Sequence, residues 1–125
     1  MAQKHIIDDE ESVRIAFRGI LERAGYEVEE AADGEQAIIV QRDNPADIII
    51  ADIIMPKKEG IETIMELRRE FPRVPIIAIS GGGQIPAEEY LYLARRFGAA
   101  YTFIKPVSPQ ELIAAVASIL RDIKN

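Results

Sequence analysis

The chain contains no cysteine. Without thiols there is no disulfide framework, no thiolate metal centre and no cysteine nucleophile. No apolar run approaches the roughly 18 to 20 residues that a membrane span needs. The start, MAQKHIIDDEE, has no apolar signal-peptide core, so a cytoplasmic protein with no membrane association is expected. Basic residues are in deficit: 15 Lys and Arg face 21 Asp and Glu, a formal charge of -6. Contacts to phosphate backbones require a basic face, so nucleic acid is not an expected partner. What remains is ordinary globular composition, 48% apolar and 29% charged, which excludes a disordered chain. A length of 125 residues predicts a single domain over 1–125, large enough to bury roughly two-thirds of the surface its unfolded chain exposes.

Short apolar runs alternate with longer segments of helical spacing. The runs are Ile6-Ile7, Tyr26 to Ala31, Ile48 to Ala51, Ile76 to Ile79 and Tyr101 to Ile104. Those that are nearly all apolar fit strands covered on both faces. Helical stripes are formed by Val13, Phe17, Ile20, Leu21 and Ala24, then by Ile61, Ile64, Leu67 and Phe71. Tyr90, Leu93, Ala94 and Phe97 form a third stripe, and Leu112, Ile113, Val116, Leu120 and Ile123 the last. Ala37, Ile38 and Val40 give a weaker pattern between the second and third strands. Gly25, Asn44-Pro45, Pro72, Pro75 and Gly98 stand where helices should stop. Ser108-Pro109-Gln110-Glu111 reads as a capping box with proline at the first helical position. The result is an α/β chain, strand and helix repeated five times, with a parallel sheet and helices on both faces. The last helix reaches the terminus, so no output domain is expected.

Four strands end in a charged or hydroxyl residue: Asp8 and Asp9, then Asp52, Ser80 and Lys105. In an open parallel sheet these carboxyl ends share one edge, where such folds place ligands. Three clustered carboxylates repel one another and attract a hard cation. Oxygen donors without His or Cys point to Mg²⁺. A carboxylate can also attack phosphorus to form an acyl phosphate. The Lys105 ammonium and the Ser80 hydroxyl could then pair with the phosphoryl oxygens.

This set resembles the receiver domain of two-component response regulators, the family that includes the chemotaxis regulator. The marks are Asp8-Asp9-Glu10, Asp52-Ile53-Ile54-Met55-Pro56 with Gly60, Ser80, and Lys105-Pro106, and they cover essentially the whole chain. Asp9, Asp52, Ser80 and Lys105 follow one another at intervals of 43, 28 and 25 residues. The resemblance implies a flavodoxin-like, doubly wound fold with strand order 2-1-3-4-5, and a stand-alone phosphorylation switch. Asp52 would accept a phosphoryl group from a histidine kinase or histidine phosphotransferase. Asp8, Asp9, Asp52 and the main-chain carbonyl of Ile54 would hold Mg²⁺. Ser80 and Lys105 would contact the phosphoryl group, and a cis peptide would precede Pro106. The output would be contact with a downstream protein through the fourth helix, fifth strand and fifth helix. Beyond catalysing its own phosphorylation and dephosphorylation, no enzyme activity is implied.

Departures from the family pattern are informative. Thr102 stands three residues before the lysine, where an aromatic switch residue is common, and Tyr101 and Phe103 should point to the opposite face. Gly81-Gly82-Gly83 lacks the lysine and hydroxyl of a phosphate loop and reads as a flexible turn. His5 reads as a packed or edge residue, Arg95-Arg96 as complements to a helix dipole, and Tyr92 as outward-facing. Lys57-Lys58-Glu59 reads as a solvated turn. Two other functions compete. A haloacid-dehalogenase-type phosphatase expects a second aspartate two residues after its nucleophile, where Ile54 stands. A nucleotide- or flavin-binding module expects a glycine-rich turn after the first strand, where acidic residues stand instead.

Overall fold

The computed structural model describes residues 3–7, 11–52, 59–81, 87–96 and 98–124. Strands and helices alternate along them. These are β1 (Gln3–Ile7), α1 (Glu11–Arg23), β2 (Glu27–Ala31), α2 (Gly34–Asp43) and β3 (Ile48–Asp52). They continue as α3 (Glu59–Glu70), β4 (Ile76–Ser80), α4 (Ala87–Arg96), β5 (Tyr101–Ile104) and α5 (Pro109–Lys124). The strands form one parallel sheet in the order β2-β1-β3-β4-β5. The (βα)5 architecture and the strand order are those expected. His5 lies in β1, which pairs with β2 on one side and β3 on the other, so it does not sit on an edge strand.

The two central strands show why their sequences are almost wholly apolar. Every residue of β3 and β4 is buried. Strand alternation sends Ile49, Ala51, Ile76 and Ala78 into a core with Ile38, Ile64, Leu67 and Ala94 of α2, α3 and α4. It sends Ile48, Ile50, Ile77 and Ile79 into a second core with Phe17, Leu21, Leu112 and Val116 of α1 and α5. Each fully buried isoleucine contributes about 1.5–3 kcal/mol relative to exposure. The edge strand β2 is acidic instead. Its Glu30 accepts from Arg18 Nη1 at 2.6 Å and Arg14 Nε at 3.2 Å, which fastens α1 to that edge. Charged edges also resist pairing with other chains.

Helix ends follow the punctuation. α1 closes on Gly25, at φ 93°, with Tyr26 N donating to the Leu21 carbonyl and Gly25 N to the Glu22 carbonyl. Gly98, at φ 109°, closes α4 in the same way through Ala99 N to the Ala94 carbonyl and Gly98 N to the Arg95 carbonyl. Both glycines hold the left-handed conformation that ends a helix. Ser108 Oγ accepts from Glu111 N at 3.4 Å, which confirms the N-cap of α5. A second cap escaped the sequence reading. Asp33 accepts from Gln36 N at 2.8 Å, and Gln36 Oε1 accepts from Ala32 N at 2.7 Å. The spacing Asp33-x-x-Gln36 was the signal for it.

Two stripe positions differ from expectation. Ala24 lies beyond α1, in the turn that Gly25 completes, and is exposed. Leu93 is 37% exposed. α4 packs over β4 and the edge strand β5, beyond which the sheet has no further strand to cover. Conversely, Ala115 and Ile119 join the α5 side of the core.

Gly34 has a steric reason. A Cβ there would lie 1.9 Å from Thr63 Oγ1, so α2 and α3 approach as closely as a missing side chain allows. Gly34→Ala is therefore expected to destabilise the fold by about 1–3 kcal/mol through forced displacement of α2. Denaturant midpoints check this. Adding Thr63→Ala should recover only part of the loss, because the Thr63 Cβ would still lie 3.1 Å away.

Candidate functional site

Asp52 is the last residue of β3 and Ser80 the last of β4, as the sequence pattern predicts. Both are buried, at 4% and 0% exposure. In register, Asp52 stands beside Ile79 and Ser80 beside Ile104. Lys105 comes directly after β5, and its backbone N donates to the Ser80 carbonyl at 2.9 Å. The Lys105-Pro106 peptide is cis, as expected.

β4 separates β3 from β5, so the Lys105 side chain must cross the end of β4 to reach Asp52. It does so: Nζ donates to Asp52 Oδ2 at 2.7 Å. A charged donor and acceptor this close make one of the stronger classes of hydrogen bond. The Lys105 side chain keeps 26% exposure against 4% for that of Asp52, so the carboxylate is reached from the sheet edge on which the ammonium lies. Gly81 flanks the lysine stem. A Cβ there would lie 3.4 Å from Lys105 Cδ and 3.6 Å from its Cβ. The sequence reading treated Gly81 only as part of a flexible turn. A glycine directly after Ser80, beneath a lysine that must cross that strand, was the available signal.

Ile7 is in register with Ala51, so β1 ends beside the end of β3. Asp8, Asp9, Ile54 and Gly82 lie outside the described residues, as do Lys57 and Lys58. The structure thus brings together Asp52, Ser80 and Lys105 from the expected set. On β5, Thr102 pairs with Ala78 of one core, whereas Phe103 packs in the other core, so Thr102 and Phe103 occupy opposite faces. Tyr101 shares the α5 side and donates from its hydroxyl to Ser118 Oγ at 3.1 Å. On the opposite side Tyr92, Leu93 and Ile104 are exposed at 54%, 37% and 47%. Tyr92 therefore faces outward, as expected, with the Arg96 guanidinium 5.9 Å from its ring centre.

A lysine bonded to a buried aspartate across the carboxyl edge of a 2-1-3-4-5 sheet has a counterpart in sequence. The model of the response regulator receiver domain family matches residues 5–117. The chain belongs to that family.

This receiver domain is 36% identical over 116 residues to the alkaline phosphatase synthesis transcriptional regulatory protein PhoP of Bacillus subtilis, covering 93% of this chain and 47% of that protein. It is 37% identical over 120 residues to the probable transcriptional regulator ycf27 of Cyanophora paradoxa, covering 96% and 48%. The chain thus spans about half the length of these curated relatives. Among solved structures, it superposes on a receiver domain protein from Clostridium thermocellum with a TM-score of 0.90 at 28% identity, covering 99% and 98% of the two chains. The chemotaxis protein CheY4 of Vibrio cholerae gives 0.84 at 30% identity, covering 95% and 98%. Family membership makes the domain a component of two-component signalling and disfavours the phosphatase and nucleotide-module alternatives. Among the described residues no helix is long and apolar enough to cross a membrane.

Proposed function

We propose that this receiver domain is switched by phosphorylation of Asp52. The observation that carries the proposal is the Lys105 Nζ to Asp52 Oδ2 bond of 2.7 Å, which spans β4 to hold an ammonium at a buried carboxylate. In the reaction an Asp52 oxygen attacks phosphorus. The bond from phosphorus to the donor, an imidazole nitrogen of a histidine kinase or phosphotransferase, breaks as the acyl phosphate forms. Lys105 would pair with a phosphoryl oxygen, and Ser80, one residue beyond the Asp52 register, would donate a hydroxyl hydrogen bond to it.

The donor chemistry suits a hard divalent cation. Asp52 offers an anionic oxygen, and Asp8 and Asp9 follow the strand that ends beside it. Asp8, Asp9, Asp52 and the Ile54 carbonyl would hold Mg²⁺, which would supply positive charge against the phosphoryl oxygens. The downstream readout falls on the α4-β5-α5 face, where Tyr92, Leu93 and Ile104 leave apolar surface for a protein partner.

Incubation with acetyl phosphate and Mg²⁺, followed by intact-mass measurement, tests the reading. One phosphoryl adduct is expected, absent with chelator and strongly reduced in Asp9→Asn. An adduct that forms equally without Mg²⁺, or that maps to a residue other than Asp52, would overturn it.

A further inference from the structure

A groove outside the phosphorylation site runs between α2 and α3 and encloses about 440 Å³. The two helices are pinned at both ends of it. At one end Gly34 lies against Thr63 with no room for a side chain. At the other, Arg42 of α2 grips Glu70 of α3 through two hydrogen bonds, Nη2 to Oε1 being 2.7 Å. The pair holds the Glu70 carboxyl below its ordinary value. Between these pins the groove is a preformed slot and needs no opening.

Its lining is amphipathic. Ile38 is buried in the wall, while Ile39, 52% exposed, offers its side chain to the opening. Exposed Glu35, Glu62 and Glu66 line the same groove. Glu62 and Glu66 stand four residues apart on α3, the spacing at which like charges repel on one helix face. Among the described residues, the one basic residue lining the groove is Arg42. Its guanidinium is hydrogen-bonded to Glu70 and also feels the charge of Glu66, so one arginine, already paired, faces three rim glutamates and the groove keeps an anionic rim around an apolar contact.

We propose that the α2–α3 groove docks a cationic amphipathic helix of a partner protein. An apolar side chain of that helix would seat on Ile38 and Ile39, and its Lys or Arg residues would pair with Glu35, Glu62 and Glu66. This is the helix-in-groove mode of recognition, with charge complementarity setting partner choice. It is independent of the phosphorylation reading and uses a face remote in sequence from Ser80 and Lys105.

The test is amide-shift mapping of the full chain titrated with a 15-residue amphipathic Leu/Lys helical peptide. A Leu/Glu peptide of the same pattern and the polycation spermine serve as comparisons. Shifts are expected at residues 35–42 and 61–70 with the Leu/Lys peptide alone. Affinity should fall tenfold or more in Glu62→Gln/Glu66→Gln and, separately, in Ile39→Ser, with thermal melting not lowered and Asp52 phosphorylation unchanged. Binding mapped to another surface, or affinity unchanged in both variants, overturns the proposal. So does spermine reproducing the shifts with equal affinity, which would make the rim a mere charge patch. Concentration-dependent self-association through these residues would overturn it in favour of a second copy of this chain.

Discussion

Replacing Asp52 by asparagine is expected to abolish phosphoryl uptake without weakening the fold, whereas replacing Lys105 by methionine should slow uptake and cost stability. The asymmetry comes from burial. Asp52 is almost fully enclosed, while Lys105 keeps about a quarter of its side chain in water. Asparagine keeps the shape of the aspartate, removes a buried charge, and lets the Lys105 ammonium turn toward solvent. Methionine keeps the lysine stem against Gly81 but leaves a buried carboxylate without its ammonium partner. A buried acceptor deprived of its charged donor costs about 1–3 kcal/mol. For reactivity the ranking reverses. An amide oxygen cannot serve as the nucleophile, so Asp52→Asn should show no adduct. Lys105→Met retains the nucleophile and loses one preorganised charge at the transferred group. Losing such a donor typically costs about 10²–10³ in rate. Melting curves and the time course of acetyl phosphate labelling check both halves. Equal labelling rates in Lys105→Met and the parent would remove the lysine from the reaction.

The same ion pair shows how far the sequence could be read. Asp52, Ser80 and Lys105 were legible because each ends an apolar run, and a parallel sheet gathers such ends at one edge. The split of β3 and β4 into two cores was legible for the same reason, since only strands covered on both faces can be apolar at every position. What the sequence did not reveal was lateral fit. Nothing in a linear pattern places Gly34 against Thr63, because that is a contact between segments far apart in the chain. Helix overhang was hidden too. Leu93 has the spacing of a core residue, but its burial depends on whether a further strand lies beneath it, and β5 is the edge. The α2–α3 groove escaped for a related reason. Ile39 breaks the helical stripe, so periodicity read a weak helix where the structure has an apolar residue facing outward between glutamates.

Once formed, the phosphoryl group on Asp52 is expected to be long-lived for a receiver domain. Hydrolysis requires water to attack phosphorus in line, opposite the aspartate oxygen. By the resemblance to receivers, the residues two positions after the phosphoacceptor and two after the hydroxyl residue, here Ile54 and Gly82, would border that approach. Neither side chain can accept a hydrogen bond from water, so neither can orient the nucleophile or take its proton. Proton transfer by a positioned side chain contributes about 10²–10⁴-fold in general, and positioning alone is a large part of a hydrolytic barrier. Gly82 works the other way, since a missing side chain admits water more freely. Admission raises the number of water molecules near phosphorus only modestly, whereas orientation converts an encounter into a reactive geometry, so the second effect wins. Ile54→Asn with Gly82→Glu supplies one group to orient water and another to accept its proton, and should speed decay by about tenfold or more. The measurement is loss of the phosphoryl adduct with time in Mg²⁺ after the donor is removed. Rapid decay in the parent, or a double variant no faster than it, would show that access and not orientation sets the lifetime.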